Sequence, residues 1–185
     1  MKLTDYENEV EMYMAYTEGT NATAIYPGVN SEIGWIYPVL GFAGESGEIY
    51  EKYVNGDVTG NFGKEIGDAC YYVARLSLEL PFDTREFWQD VVDTMVADES
   101  HQYPPLMHTM IGQVLSVAEL LKKWWRDDNE EKLAVIRAKL IMYFIGLVRL
   151  AKLHEFEIVD VLQENHDKLA DRKERGVIQG DGDTR

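Results

Sequence analysis

Apolar side chains recur at spacings of three and four along most of the chain, the period of a helix with one buried face. The clearest stripe is Phe62, Ile66, Ala69, Val73, Leu76 and Leu80. It predicts a helix over 62–80, closed by Pro81, because the residue before a proline is pushed out of the helical region. The same period predicts a helix over 5–18, with Tyr6, Val10, Tyr13 and Met14 on one side, and another over 34–54. Asp83 or Thr84 can cap a helix ending near Asp98. Further helices are expected over 106–125, 130–153 and 156–175. Gly, Pro, Asn and Asp gather in 19–32, 55–63 and 127–129, which reads as loop. No segment alternates with period two. The expected fold is all-α, an antiparallel helix bundle.

The bundle carries an internal echo. Gly41, Glu48 and Lys52 align with Gly112, Glu119 and Lys123. In the next helices Val73-Ala74-Arg75-Leu76 meets Leu147-Val148-Arg149-Leu150, and Phe82-Asp83 meets Phe156-Glu157 just beyond. This suggests a tandem duplication whose halves pack as a pseudo-dimer. The expected organisation is a first repeat over 1–98, a connector (ESHQYPP) over 99–105, a degenerate second repeat over 106–175 and a Gly-rich tail over 176–185.

Composition narrows the class. A chain of 185 residues, 45% hydrophobic and 28% charged, is long enough for a real core and is not a disordered composition. No run of 18 apolar residues occurs, so no membrane partner is expected. The acidic start MKLTDYENEVEMYM lacks the pattern of a signal peptide, and a single Cys suits a reducing compartment. The expected location is cytoplasmic. A formal net charge of -15 repels phosphate backbones and argues against a nucleic-acid partner. A small phosphate-bearing substrate would need a local cation.

Two acidic motifs offer one. Glu45-Ser46-Gly47-Glu48 and Glu65-Ile66-Gly67-Asp68 each place two carboxylates on one helix face. The short loop between these helices makes them antiparallel neighbours, so the acidic faces can converge. Four close carboxylates repel, and a hard divalent cation relieves that repulsion. Gly44, Ser46, Gly47, Gly67 and Ala69 flank the acids and suggest space left for something. A di-iron bundle would need Glu-x-x-His pairs. His101, His108, His154 and His166 all lack a Glu three residues earlier.

Tyr37-Pro38-Val39-Leu40-Gly41-Phe42-Ala43-Gly44-Glu45-Ser46-Gly47-Glu48-Ile49, followed by Lys64-Glu65-Ile66-Gly67-Asp68-Ala69-Cys70-Tyr71-Tyr72, resembles the MazG-like all-α nucleoside triphosphate pyrophosphohydrolases. Ala24-Ile25-Tyr26-Pro27-Gly28 and the stretch from Asn165 to Arg185 fit the same pattern, so the resemblance covers roughly 20–80 and 160–185. It implies magnesium-dependent hydrolysis of a (deoxy)nucleoside triphosphate to the monophosphate and pyrophosphate, with Mn2+ as a possible substitute. It also implies that Glu45, Glu48, Glu65 and Asp68 are the metal ligands. Glu45 and Glu48 are equal candidates for the base that takes the water proton. Lys168, Arg172, Arg175 and Arg185 are candidates for the β- and γ-phosphates, and Asn165 for a phosphate or sugar oxygen. Trp35, Tyr37 and Tyr72 are candidates for the base pocket; Trp124, Trp125 and Cys70 read as packing.

The chain departs from the short members of that family by the long stretch between the Glu-x-x-Asp helix and the tail, which the repeat accounts for. The second copy has Ser116, Lys139 and Met142 where the first has Glu45, Glu65 and Asp68, and keeps only Glu119. Conversely, Asn165 and Lys168 face Val91 and Thr94. One composite site per chain is therefore expected, in a monomer that is its own pseudo-dimer or in a homodimer. The alternative function is a non-catalytic nucleotide-binding or protein-interaction module.

Overall fold

The computed structural model describes residues 1–97 and 107–177. The connector 99–105, Asp98 and most of the tail, with Arg185, lie outside the described residues. Within them are seven α-helices and no strand: α1 Glu9–Thr20, α2 Ile36–Asn55, α3 Phe62–Glu79, α4 Thr84–Ala97, α5 Met107–Asp127, α6 Glu130–Leu153 and α7 Ile158–Glu174. None is long and apolar enough to cross a membrane.

Local chemistry sets the boundaries. Asn8 caps α1 by accepting from the Glu11 amide at 2.9 Å, and Asn129 caps α6 through the Glu131 amide. α2 stops at Gly56, whose φ of 71° is the left-handed conformation that ends many helices. α3 stops ahead of Leu80-Pro81. The expected first helix begins four residues late. Residues Leu3–Asp5 form a separate 3-10 turn, and Tyr6 lies outside α1 and exposed rather than beside Val10 and Tyr13. The Asn8 cap is the reason, because a capping residue has extended backbone and cannot sit inside a helix.

α2 and α3 pack as one hairpin and α5 and α6 as another. The hairpins meet through α2 on α5 and α3 on α6. Trp35, just before α2, touches Trp124 and Trp125 at the end of α5, so α2 and α5 run antiparallel. The third helix of each half crosses over: α7 lies along α3, and α4 lies along α6. Exchanging α2, α3 and α4 with α5, α6 and α7 maps these packing pairs onto one another. α1 stands outside this exchange and packs on α3, α4 and α7.

One continuous core runs through both halves, from Leu3 to Leu162. Tyr13 stacks on Trp88 at 5.0 Å, and Phe144 meets both rings edge-on. A buried ion pair is sewn into this core. Arg75 pairs with Glu79 one turn along α3 and donates to Asn21 at 2.6 Å, Thr20 at 3.2 Å and the Tyr26 hydroxyl at 2.9 Å. Glu79 accepts from the Tyr26 hydroxyl at 2.6 Å and from the Asn30 amide at 2.9 Å. The loop between α1 and α2 is thereby tied to α3.

Candidate functional site

Three of the four motif acids gather where α2 faces α3. Glu45, Glu65 and Asp68 each offer an oxygen within 4.8 Å of the others. The i, i+3 spacing puts Glu65 and Asp68 on one face of α3, and the antiparallel hairpin brings Glu45 opposite. Between Glu45 and Glu48, buried Ser46 is bonded to Tyr143 on α6 at 2.6 Å, which fixes the rotation of α2 and leaves Glu45 beside the acids of α3.

Glu48 departs from the expected set of four. It is exposed and lies outside this group. Lys52, the next turn of α2, reaches Glu65 at 3.1 Å. Glu48 still acts at a distance. Burial pushes the Glu45 carboxyl up to about 8, and the charges of Asp68, Glu48 and Glu65 add to that rise. Near neutral pH the cluster therefore holds a proton on Glu45.

The second half supplies the remaining groups. Lys168 Nζ lies 2.6 Å from both oxygens of Asp68. Asn165 Nδ2 donates to Asp68 Oδ1 at 2.6 Å. Both come from α7, which reaches α3 because Gly63 and Gly67 leave room. A Cβ on Gly67 would lie 3.1 Å from Asn165 Cβ and 3.3 Å from the Val161 carbonyl oxygen, and one on Gly63 would meet the Phe156 ring. The space expected beside Asp68 is thus filled by a helix. Gly44 and Gly47 do face open space.

The other candidates divide. Asn165 is 3% exposed with both amide ends engaged, so it holds Asp68 rather than standing open to a phosphate or sugar. Arg172 follows Lys168 by one turn and is buried, while Arg175 pairs with Asp171 on the exposed side. Tyr72 of α3 packs against α2 where Gly41 lacks a side chain; a Cβ there would fall 2.1 Å from its ring. Tyr37, half-exposed, sits 6.3 Å from Tyr72 and stacks on Tyr26 at 4.8 Å. Trp35 is not part of this wall. It is buried edge-on against Trp124 and Trp125, because antiparallel α2 and α5 bring those ends together.

In the second half, Glu119 is exposed and pairs with Lys122 and Lys123. Met142 lines a surface groove with Asp90, Asp93, Thr94 and Arg137. Among the described residues no second cluster of His, Cys, Asp or Glu forms. The sequence reading missed Lys52, Tyr16 and Tyr26. Lys52 lies one turn beyond Glu48 in the sequence, but its reach across to Glu65 on α3 had no signal there. Tyr16 shows only a helical period.

Fold and site define an all-α bundle in which one hairpin carries a three-carboxylate cluster and the last helix delivers a lysine to it. The chain is 34% identical over 82 residues to the Gene 37 protein of Mycobacterium phage L5, covering 41% of this chain and 70% of that protein. It belongs to the same family as that protein. No family model matches the chain, and no solved structure matches it.

Proposed function

We propose that this protein is a magnesium-dependent pyrophosphohydrolase that converts a nucleoside or deoxynucleoside triphosphate to the monophosphate and pyrophosphate. The observation that carries this reading is the convergence of Glu45, Glu65 and Asp68 from the Glu-x-x-Glu and Glu-x-x-Asp helices, with Lys168 brought to Asp68. The likeness of these motifs to the MazG-like enzymes supports it.

The donor set fits a hard divalent ion: three carboxylates close together, one of them, Glu45, with its proton affinity raised chiefly by burial and further by its acidic neighbours. Glu45, Glu65 and Asp68 would hold Mg2+, or Mn2+ in its place. When bound, the ion neutralises phosphoryl charge and acidifies a coordinated water. The chain's own groups do the rest. Lys168 supplies a point charge for phosphate oxygens. Once its own proton is displaced on cation binding, Glu45 would take a proton from the attacking water, a raised affinity near neutral pH being suited to that role. The water oxygen bonds to the α-phosphorus, the bridging bond to the β-phosphate breaks, and pyrophosphate leaves. Tyr37 and Tyr72 flank the base. The aligned residues and the exchange-invariant helix pairing support a tandem duplication that kept one site.

The test is a panel of ribo- and deoxynucleoside triphosphates with Mg2+, with products separated. Pyrophosphate and monophosphate are expected, and Glu65→Gln should lower turnover on the order of a hundredfold or more. Release of orthophosphate would overturn the reaction class. Nucleotide binding without turnover would replace it with the binding-module reading.

A further inference from the structure

We propose that Tyr16 is a positioning residue for the carboxylate cluster: its hydroxyl sets the orientation of the Asn165 amide, and the amide in turn sets the Asp68 carboxylate. The chain of contacts joins three helices. Tyr16 on α1 donates to Asn165 Oδ1 at 2.8 Å, and Asn165 on α7 donates from Nδ2 to Asp68 Oδ1 on α3 at 2.6 Å. Both Tyr16 and Asn165 are buried, so water does not supply substitutes.

The amide has two possible orientations, and the chemistry of its neighbours selects one. An ionised carboxylate only accepts hydrogen bonds, so the NH2 end must face Asp68. The oxygen then faces Tyr16, and Tyr16 must donate. Burial pushes the Tyr16 hydroxyl far above the usual tyrosine range, which keeps that donor protonated at any working pH. Without the hydroxyl, Asn165 Oδ1 is a buried acceptor with no donor, an arrangement that costs about 1–3 kcal/mol and favours rotation of the amide away from Asp68. Asp68 would then be held by Lys168 alone, a flexible point charge one turn further along α7. Outer groups of this kind commonly decide how well an inner carboxylate binds a cation.

α1 also supplies the control. Tyr13 is as deeply buried as Tyr16, but its hydroxyl has no hydrogen-bond partner among the described residues. Tyr13→Phe removes the same atom from the same helix with no bond lost.

Only the second of two measurements on the full chain rests on the cation-site reading. In the first, the Asn165 side-chain amide signals are identified by NMR from their loss in Asn165→Asp. Slow hydrogen exchange is expected in the wild type and in Tyr13→Phe, with protection lost in Tyr16→Phe while helical content is unchanged. Unaltered protection in Tyr16→Phe overturns the proposal. In the second, Mn2+ affinity is measured by calorimetry, with a roughly tenfold loss expected in Tyr16→Phe and none in Tyr13→Phe. Equal affinity in Tyr16→Phe and wild type also overturns it. A wild type that binds no Mn2+, together with the expected loss of amide protection, sinks the cation site and still supports Tyr16 as the group that orients Asn165.

Discussion

Glu45 is the residue on which burial and charge act in the same direction. An unfolded chain ionises this carboxyl near 4.5, whereas the folded chain holds its proton up to about 8. A carboxyl raised on folding contributes stability that is fully present below the unfolded value and is lost as pH rises through the folded one. In chelator, the wild type should therefore lose stability between about pH 5 and pH 8. Glu45→Gln should flatten that slope and melt a few degrees higher than wild type at pH 8. Thermal melts across this range decide it, and parallel curves for the two proteins would mean that Glu45 is not the group responsible. Saturating Mg2+ should reverse the trend, since a cation competes with the proton for the ionised form. The identity of these acids was legible in the sequence because each pair sits at helical spacing. The split between Glu45 and Glu48 was not, since it depends on Ser46 locking onto Tyr143 and on Lys52 reaching across to Glu65.

At the scale of elements, helix ends were readable wherever a single residue writes them, as at Gly56 and Pro81, and the meaning of the glycines was not. Gly44, Gly47 and Gly67 look alike in sequence, all small residues beside acids. Gly67 faces α7, whose residues lie far along the chain, and spacing within a motif carries no information about such a partner. The three positions should therefore respond in opposite directions. Gly67→Ala forces a Cβ against Asn165 and the Val161 carbonyl and should cost about 1–3 kcal/mol, the usual range for overpacking. It should also weaken cation binding by moving Asn165 and Lys168 off Asp68. Gly44→Ala and Gly47→Ala put a methyl into open space inside a helix and should stabilise by about 0.5–1 kcal/mol. Denaturant unfolding of the three variants measures this, and a destabilised Gly44→Ala or Gly47→Ala would show that the open face is needed for something packed against it. The same scale holds the Arg75–Glu79 clamp. Arg75→Ala leaves Glu79 buried without its counter-charge and should cost about 3–5 kcal/mol, releasing the loop that seats Tyr26 under Tyr37.

For the molecule as a whole, the consequence lies in which helices cross over. The sequence suggested two halves of like helix order; it did not announce that α7 leaves its own hairpin for α3 while α4 goes to α6. That exchange is what completes the site. Asp68 belongs to the first half, and both groups that hold it, Asn165 and Lys168, belong to the second. It also means that neither half is a finished unit. Residues 1–98 alone would leave the Gly63 and Gly67 face of α3 uncovered and α4 without α6, and residues 106–185 alone would leave α6 without α4. Each fragment expressed separately should fail to give a cooperative thermal transition. The two co-expressed should associate one to one and regain the Mg2+-dependent turnover proposed above, because the core from Leu3 to Leu162 draws on both. Glu119→Gln in the intact chain should leave turnover within about twofold of wild type, since Glu119 is outside the acidic cluster, pairs with surface lysines, and exposed substitutions of this kind have small effects. A first fragment that folds and hydrolyses nucleotide by itself would show that α7 is dispensable, and with it the role given to Asn165 and Lys168.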